Sequence, residues 1–196
     1  MTIFTHHLNL NLLLFIGLFL LVPVQASEDK AAEDPEKAAL ELKKKKENAV
    51  KKFANEELKD FQRLVTLLRG FRNKNDVEKL DKASRKIEQK YKPLYGSSGY
   101  GNSYEGGSIK YEGFDITLAD LEPAHRRMAA KRRSLYKKYL EAHRHFRIKK
   151  YDVGTYEDFS AITDATYWAR RVLTIHQTEE AQNEYKKYRK RHGFYY

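Results

Sequence analysis

A dense run of cations between Arg126 and Lys150 is the feature of this sequence best suited to chemistry. Eleven lysines and arginines stand in it against a single acid, Glu141, and the whole chain carries a formal net charge of +11. A field of that sign attracts nucleic acid, anionic lipid or acidic polysaccharide, and tyrosines among the cations can stack on bases or sugars. The cations predicted to contact an anion are Arg126, Arg127, Arg133, Lys137, Lys138, Arg144 and Lys150.

The alternative is that these cations are only the solvated outer face of a long helix. Most of them fall between the apolar positions of the helix predicted there. Arg132 is the exception, because it stands on the apolar stripe itself. Its side chain must therefore extend to solvent or pair with an acid of the first helix, such as Glu57.

Enzyme chemistry has little support in the residue pattern. Glu122 and His125 have the Glu-x-x-His spacing that supplies two metal ligands in di-iron bundles, but the second copy that such a site needs is absent. The chain has no cysteine, no Gly-x-Ser-x-Gly, no phosphate-binding glycine loop and no His-Glu-x-x-His. We expect a non-catalytic protein with no cofactor, no metal and no small-molecule substrate.

Helical periodicity predicts the elements that position these residues. Apolar side chains recur at steps of three and four from Val50 to Phe71, and again from Val77 to Leu94, which predicts a first helical hairpin over residues 51–92. Gly70 is expected to end its first helix and Asp76 to cap its second.

Residues 93–116 have no apolar period. Six glycines, four serines and four tyrosines lie between Pro93 and Gly113, a composition typical of a flexible linker. The alternative is a segment that associates through its tyrosine rings.

Residues 117–192 predict a second hairpin that ends in a basic helix. Thr117 can cap a long helix that stops at Gly154, a second helix follows, and the last runs from about Glu179 to Arg191. The predicted fold is all-α: two long antiparallel hairpins, coiled-coil-like or in a loose four-helix bundle, joined by the linker. The predicted packing stripes contain Phe61, Leu68, Leu135, Phe146, Phe159 and Val172.

The N-terminus predicts export. Residues 1–26 contain no Asp, Glu, Lys or Arg, and an apolar run extends from Leu8 to Val24. A signal peptidase is expected to cut after Ala26 or Ser27. A charged leader over residues 27–50 follows. The protein is therefore expected to be secreted or periplasmic, with an N-terminal membrane anchor as the alternative.

The stretch from Arg147 to Thr155, then Glu157 to Phe159, Asp164-Ala165 and Arg170-Arg171, carries a resemblance. It is similar to the periplasmic helical-hairpin repeat of TolC-type outer-membrane efflux proteins, and residues 118–191 also resemble uncharacterised exported helical proteins of planctomycete type. The resemblance implies an envelope-facing helical hairpin. It does not imply duct activity, since no alternating strand pattern for a barrel is present.

Two functions follow from these features. The first is a cell-envelope scaffold or adaptor that acts by helix packing through the stripes, with a second copy or another helical envelope protein as partner. The second is a polyanion-binding module that uses the basic helix 126–150 to hold an anionic polymer or a membrane surface.

Overall fold

The computed structural model describes residues 35–96, 107–152 and 159–193, and within them it contains six helices and one two-stranded sheet. The helices are α1 (Pro35–Gly70), α2 (Asn75–Tyr95), α3 (Leu118–Arg127), α4 (Ala129–Asp152), α5 (Ser160–Thr174) and α6 (Thr178–Arg191). The strands are β1 (Ser108–Tyr111) and β2 (Phe114–Thr117). The mostly helical class predicted from the sequence is confirmed. The predicted signal peptide, residues 1–26, lies outside the described residues.

By their contacts the residues divide into two units, Met1–Ala38 and Ala39–Tyr196. The described part of the first unit is the first turn of α1, and everything that follows concerns the second. None of the helices in the described ranges combines the length and the apolar content that a membrane crossing needs.

Helix α1 crosses the boundary predicted between a charged leader and the first hairpin. It already begins at Pro35, and its buried stripe starts at Ala49 and continues through Phe61 to Leu68. The leader therefore has no break at residue 50. Most side chains in the turns before Ala49 are exposed and many of them are Lys or Glu, and Lys46 pairs with Asp120 at 2.9 Å between Nζ and Oδ1. The predicted end at Gly70 is confirmed.

The start and end of α2 differ slightly from the prediction. Asp76 does not act as the N-cap; its carboxylate accepts hydrogen bonds from the backbone N–H groups of Arg72 and Asn73 in the preceding turn. The helix continues past Pro93 to Tyr95, because the buried side chains of Leu94 and Tyr95 hold the last turn against the core.

The predicted linker, residues 93–116, is corrected where the structure describes it. Strands β1 and β2 pair antiparallel with Tyr111 opposite Phe114, and Glu112 and Gly113 form the two-residue turn with φ values of 48° and 83°. Two positive φ values are typical of a type I′ hairpin turn. Ile116 is fully buried, so the hairpin belongs to the core. Residues 97–106 lie outside the described residues.

Two helices, α3 and α4, replace the single long helix predicted after Thr117. The predicted cap is confirmed as a capping box, in which the Thr117 hydroxyl accepts from the backbone N–H of Asp120 and the Asp120 carboxylate accepts from that of Thr117. The break falls at Met128. Helix α4 ends at Asp152, and Gly154 lies outside the described residues.

Both halves of the chain contribute to one core. Helix α5 packs against α2 and α4, and α6 packs against α4, so the helices of the two predicted hairpins pack on one another. Of the predicted stripe residues, all are buried except Phe159, which is partly buried against the same cluster. Phe146 joins the halves directly, with its ring centre 5.2 Å from that of Phe71 and 6.0 Å from that of Phe159.

Candidate anion-binding site

Of the cations predicted to bind an anion, two are already paired with acids, and one, Arg144, lines a groove. Arg126 Nη2 lies 2.6 Å from Glu122 Oε1, one turn earlier on α3. Lys137 Nζ on α4 lies 3.4 Å from Glu184 Oε2 on α6. An anion that binds to Arg126 or Lys137 must therefore compete with the carboxylate that is already paired with it.

The remaining members of that set differ in exposure. Arg127 and Lys138 are exposed, whereas Arg133, Arg144 and Lys150 are partly buried. Arg144 is the member that lines a groove of about 770 Å³, which runs along α4 where α5 and α6 approach it. Volumes of about 300–1,000 Å³ are usual for sites that hold a small ligand.

Four arginines line this groove from three helices, and none of the described residues that line it is an acid. They are Arg144 and Arg147 on α4, Arg170 on α5 and Arg189 on α6. Arg144 and Arg147 form no salt bridge with any residue that the structure describes. Planar guanidinium groups with free donors are well suited to bidentate contacts with phosphate, sulfate or carboxylate.

Aromatic rings occupy much of the rest of the groove, which is lined by Tyr136, Tyr139, Tyr151, Tyr185 and Tyr188. On α4 the ring of Tyr139 is stacked with that of Tyr136, at 6.0 Å between centres and 20° between planes. On α6 the rings of Tyr185 and Tyr188 are stacked at 6.4 Å and 18°. Spacings of three residues bring each pair together on one helix face.

His143 lines the groove from α4, and its pKa reflects the positive charges around it. Its ring stacks on Tyr139 with 5.6 Å between centres and 11° between planes. Burial, followed by the charges of Arg147, Lys150 and Arg170, lowers the pKa of His143 to about 4. The imidazole is therefore neutral at neutral pH, in surroundings that disfavour a further positive charge.

The groove's edge carries an acid that is engaged elsewhere. Glu141 on α4 pairs with Arg191, at 3.1 Å between Oε1 and Nη1, and its Oε2 lies 3.1 Å from His192 Nε2. These contacts hold the end of α6 against α4.

A second groove, of about 540 Å³, lies between α1 and α2 and offers a comparison. Its lining includes Arg63, Lys79, Lys82, Lys86, Lys90 and Asp60. Lys90 is bound to acids of α1, with its Nζ 2.8 Å from Asp60 Oδ2 and 3.5 Å from Glu56 Oε2. None of the described residues that line this groove is aromatic, and Asp60 supplies a carboxylate to it.

The Glu122 and His125 pair does not form a site. Glu122 faces Arg126, whereas His125 is buried with its Nε2 2.8 Å from Glu57 Oε2 on α1. The part of the chain that the structure describes contains no group of three or more His, Asp or Glu side chains arranged to hold a metal ion. His143 and His145 also have separate neighbours, since Nε2 of His145 lies 2.8 Å from the Phe71 carbonyl oxygen.

The predicted partner of Arg132 is confirmed. Its guanidinium is buried and donates through Nη1 to Glu57 Oε2 at 2.7 Å, and through Nη2 to the Val172 carbonyl. Tyr95 also donates its hydroxyl to Glu57. Burial alone would raise the pKa of Glu57, but His125, Arg132 and Tyr95 together lower it to about 2.

Sequence reasoning missed the part of the groove that α5 and α6 supply. Arg170, Tyr185, Tyr188 and Arg189 join Arg144 only when α5 and α6 pack on α4. The one signal present in the sequence was the alternation of tyrosine with lysine and arginine between Tyr185 and Arg191.

No protein-family model matches this chain, and neither does any curated protein or solved structure with which it was compared. The resemblance of residues 118–191 to TolC-type repeats and to exported planctomycete-type proteins accordingly stays an expectation.

Proposed function

We propose that this chain is an exported, non-catalytic protein that binds an anionic polymer in the groove between α4, α5 and α6. The observation that carries the proposal is the lining of this groove: the described residues supply four arginines from three helices and no carboxylate. Charge of one sign in a concave, partly desolvated site concentrates the field and raises the local concentration of anions.

The unpaired arginines are the reason for preferring this groove to the rest of the basic surface. Arg144 and Arg147 form no salt bridge within the described ranges, so an anion can bind them without first separating an existing ion pair. At Arg126 and Lys137 a ligand must displace a carboxylate and gains correspondingly less. The proposed site is thus narrower than the whole basic helix 126–150.

The scaffold hypothesis has less support. Phe61, Leu68, Leu135 and Val172 are buried within the chain's own core and present no surface for a second chain. The exposed apolar side chains on α1, Leu40 and Leu42, are two residues apart and so do not face the same way. A scaffold role would need a surface other than these stripes.

Export, which the N-terminal pattern predicts, suggests which anions the protein meets. An exported protein encounters anionic lipids, lipopolysaccharide, cell-wall polymers and shed nucleic acid. All of these carry phosphate, carboxylate or sulfate groups that arginine can bind.

Heparin affinity of the full-length chain, measured by titration calorimetry over a range of salt concentrations, tests the proposal. Binding is expected to weaken steeply as salt rises, because it proceeds by counterion release. The double variant Arg144→Ala/Arg147→Ala should lose at least about tenfold in affinity, and its salt slope should fall by about two.

The matched control is Lys82→Ala/Lys86→Ala, which removes the same charge from the exposed side chains of the second groove. It should retain affinity to within about threefold, as expected for cations remote from the site. Equal losses in the two double variants would mean that net charge alone drives binding, and the groove would then not be the site.

A further inference from the structure

The tyrosine rings that line the groove indicate which class of anion binds there. The inference in this subsection rests on the proposed function above. Tyr185 and Tyr151 are 37% and 75% exposed, and both belong to the lining. Aromatic rings that are exposed beside cations can stack on the bases of a bound nucleic acid.

Cations and rings are interleaved along the groove. Arg170 Cζ lies 5.5 Å from the centre of the Tyr185 ring, and Lys150 Nζ lies 5.1 Å from the centre of the Tyr151 ring. Each ring therefore has a positive group on one side. A ligand with anionic groups and flat rings at alternating positions satisfies both kinds of side chain together.

We propose that the ligand of this groove is single-stranded nucleic acid, whose phosphates contact Arg144, Arg147 and Arg170 while its bases stack on Tyr185 and Tyr151. Base stacking on aromatic side chains needs no particular base, because every base has a π-face. The groove is expected to bind with little sequence preference.

Acidic polysaccharide fits the lining less well. Sugar rings present many hydroxyl groups, whereas the described residues bring only tyrosine hydroxyls and histidine nitrogens to the lining as side-chain acceptors. A nucleic acid duplex also fits less well, since its bases are stacked inside and cannot reach Tyr185 or Tyr151.

The experiment compares three probes on the full-length chain: a fluorescein-labelled twelve-residue oligothymidylate, a twelve-base-pair DNA duplex and a heparin dodecasaccharide. Dissociation constants come from fluorescence anisotropy, with the unlabelled probes as competitors. At equal salt the single strand is expected to bind at least about tenfold more tightly than the duplex.

Variants that lack the two tyrosine rings distinguish the contribution of base stacking to binding from the contribution of charge. Tyr185→Leu/Tyr151→Leu keeps apolar bulk and removes both rings, and it should weaken oligothymidylate binding by about tenfold or more. Heparin binding should change by less than about twofold. The conservative variant Tyr185→Phe/Tyr151→Phe should restore most of the single-strand affinity, and circular dichroism checks that each variant is folded.

The outcomes distinguish this inference from the function on which it rests. If heparin and the single strand bind equally well and both are insensitive to the loss of the rings, the groove is a general anion site and the inference is overturned. Equal weakening of heparin and the single strand in the leucine variant would also overturn it, because the rings would then only shape the groove. If none of the probes binds, the proposed function itself fails.

Discussion

Three ionisable side chains are buried in the core, and the contacts between them explain why the fold can accommodate their charges. Glu57, Arg132 and His125 are all buried, and the carboxylate of Glu57 contacts both of the others. The sequence predicted the Arg132 contact because a charged residue on an apolar stripe needs a partner. It did not predict His125, since the spacing of His125 pointed to Glu122 and the actual partner lies 68 residues away on α1.

Neutralising Glu57 should be strongly destabilising. Glu57→Gln leaves Arg132 buried without a counter-charge, which in comparable buried pairs costs about 3–5 kcal/mol. Urea unfolding followed by circular dichroism measures this loss. The matched control on the same helix is Glu47→Gln, at an exposed position, which should change the free energy of unfolding by less than about 0.5 kcal/mol. Similar values for the two variants would mean that the buried pair has no net role.

Two histidines should make stability depend on pH between about 4 and 6.5. The pKa of His143 and that of His176 are both lowered to about 4, mainly by burial, from an ordinary value of 6.5. In this range the unfolded chain binds protons that the folded chain does not, so stability is full above pH 6.5 and falls as the pH drops towards 4. Glu57 adds a further loss only below about pH 4.5, as the pH falls towards its lowered pKa of about 2.

Urea midpoints at pH 7 and pH 5 measure that effect. The wild-type midpoint should be lower at pH 5, and the drop should be smaller in His143→Gln, which cannot take up the proton. An identical drop in the variant would show that His143 contributes nothing to the pH dependence.

At the scale of elements, composition misled the prediction at the β-hairpin. Glycine and serine between residues 93 and 116 predicted a linker, yet β1 packs on α2 and contacts α1 through its side chains, and β2 packs on α3. Tyr111 donates its hydroxyl to Glu56, and its ring centre lies 5.2 Å from that of Phe53. The helix ends at Gly70 and Thr117 were predictable because breakers and caps act within a few residues.

The turn of this hairpin gives a local prediction. Gly113 has φ of +83°, so Gly113→Ala places a side chain in a left-handed conformation and should cost about 1–2 kcal/mol. The control is Gly70→Ala, at the end of α1, where an added Cβ has no atom within 4 Å. That change should be neutral or slightly stabilising. Thermal unfolding of both variants gives the comparison, and a loss at residue 70 as large as that at 113 would contradict the assignment of strain to the turn.

The whole molecule depends on packing that periodicity does not specify. The three and four residue steps correctly identified buried positions such as Leu68 and Val172, but not that α5 packs against α2 as well as α4. For the same reason the α4 side of the groove was predictable from the run of cations, whereas Arg170 and Tyr185 were not. Which helix faces meet depends on side-chain fit between segments far apart in sequence.

A shared core predicts cooperative unfolding. Trp168 on α5 is fully buried, and it is the single tryptophan of the chain, so its fluorescence follows the core directly. Its transition in urea should coincide with that of the far-ultraviolet circular dichroism, as in a two-state domain. Two separated transitions would instead indicate hairpins that unfold independently.

The central claim is that an anion binds in the groove between α4, α5 and α6. The most direct test is to measure the pKa of His143 by nuclear magnetic resonance, with and without saturating heparin. His143 faces Arg147 and Lys150 from its own helix and Arg170 from α5. The α6 side of the groove presents Tyr185, Tyr188, Arg189 and His192. An anion among these groups offsets the positive charges, so the pKa should rise from about 4 by one unit or more. A pKa that stays the same while heparin is bound would place the anion elsewhere and contradict the assignment of the site to this groove.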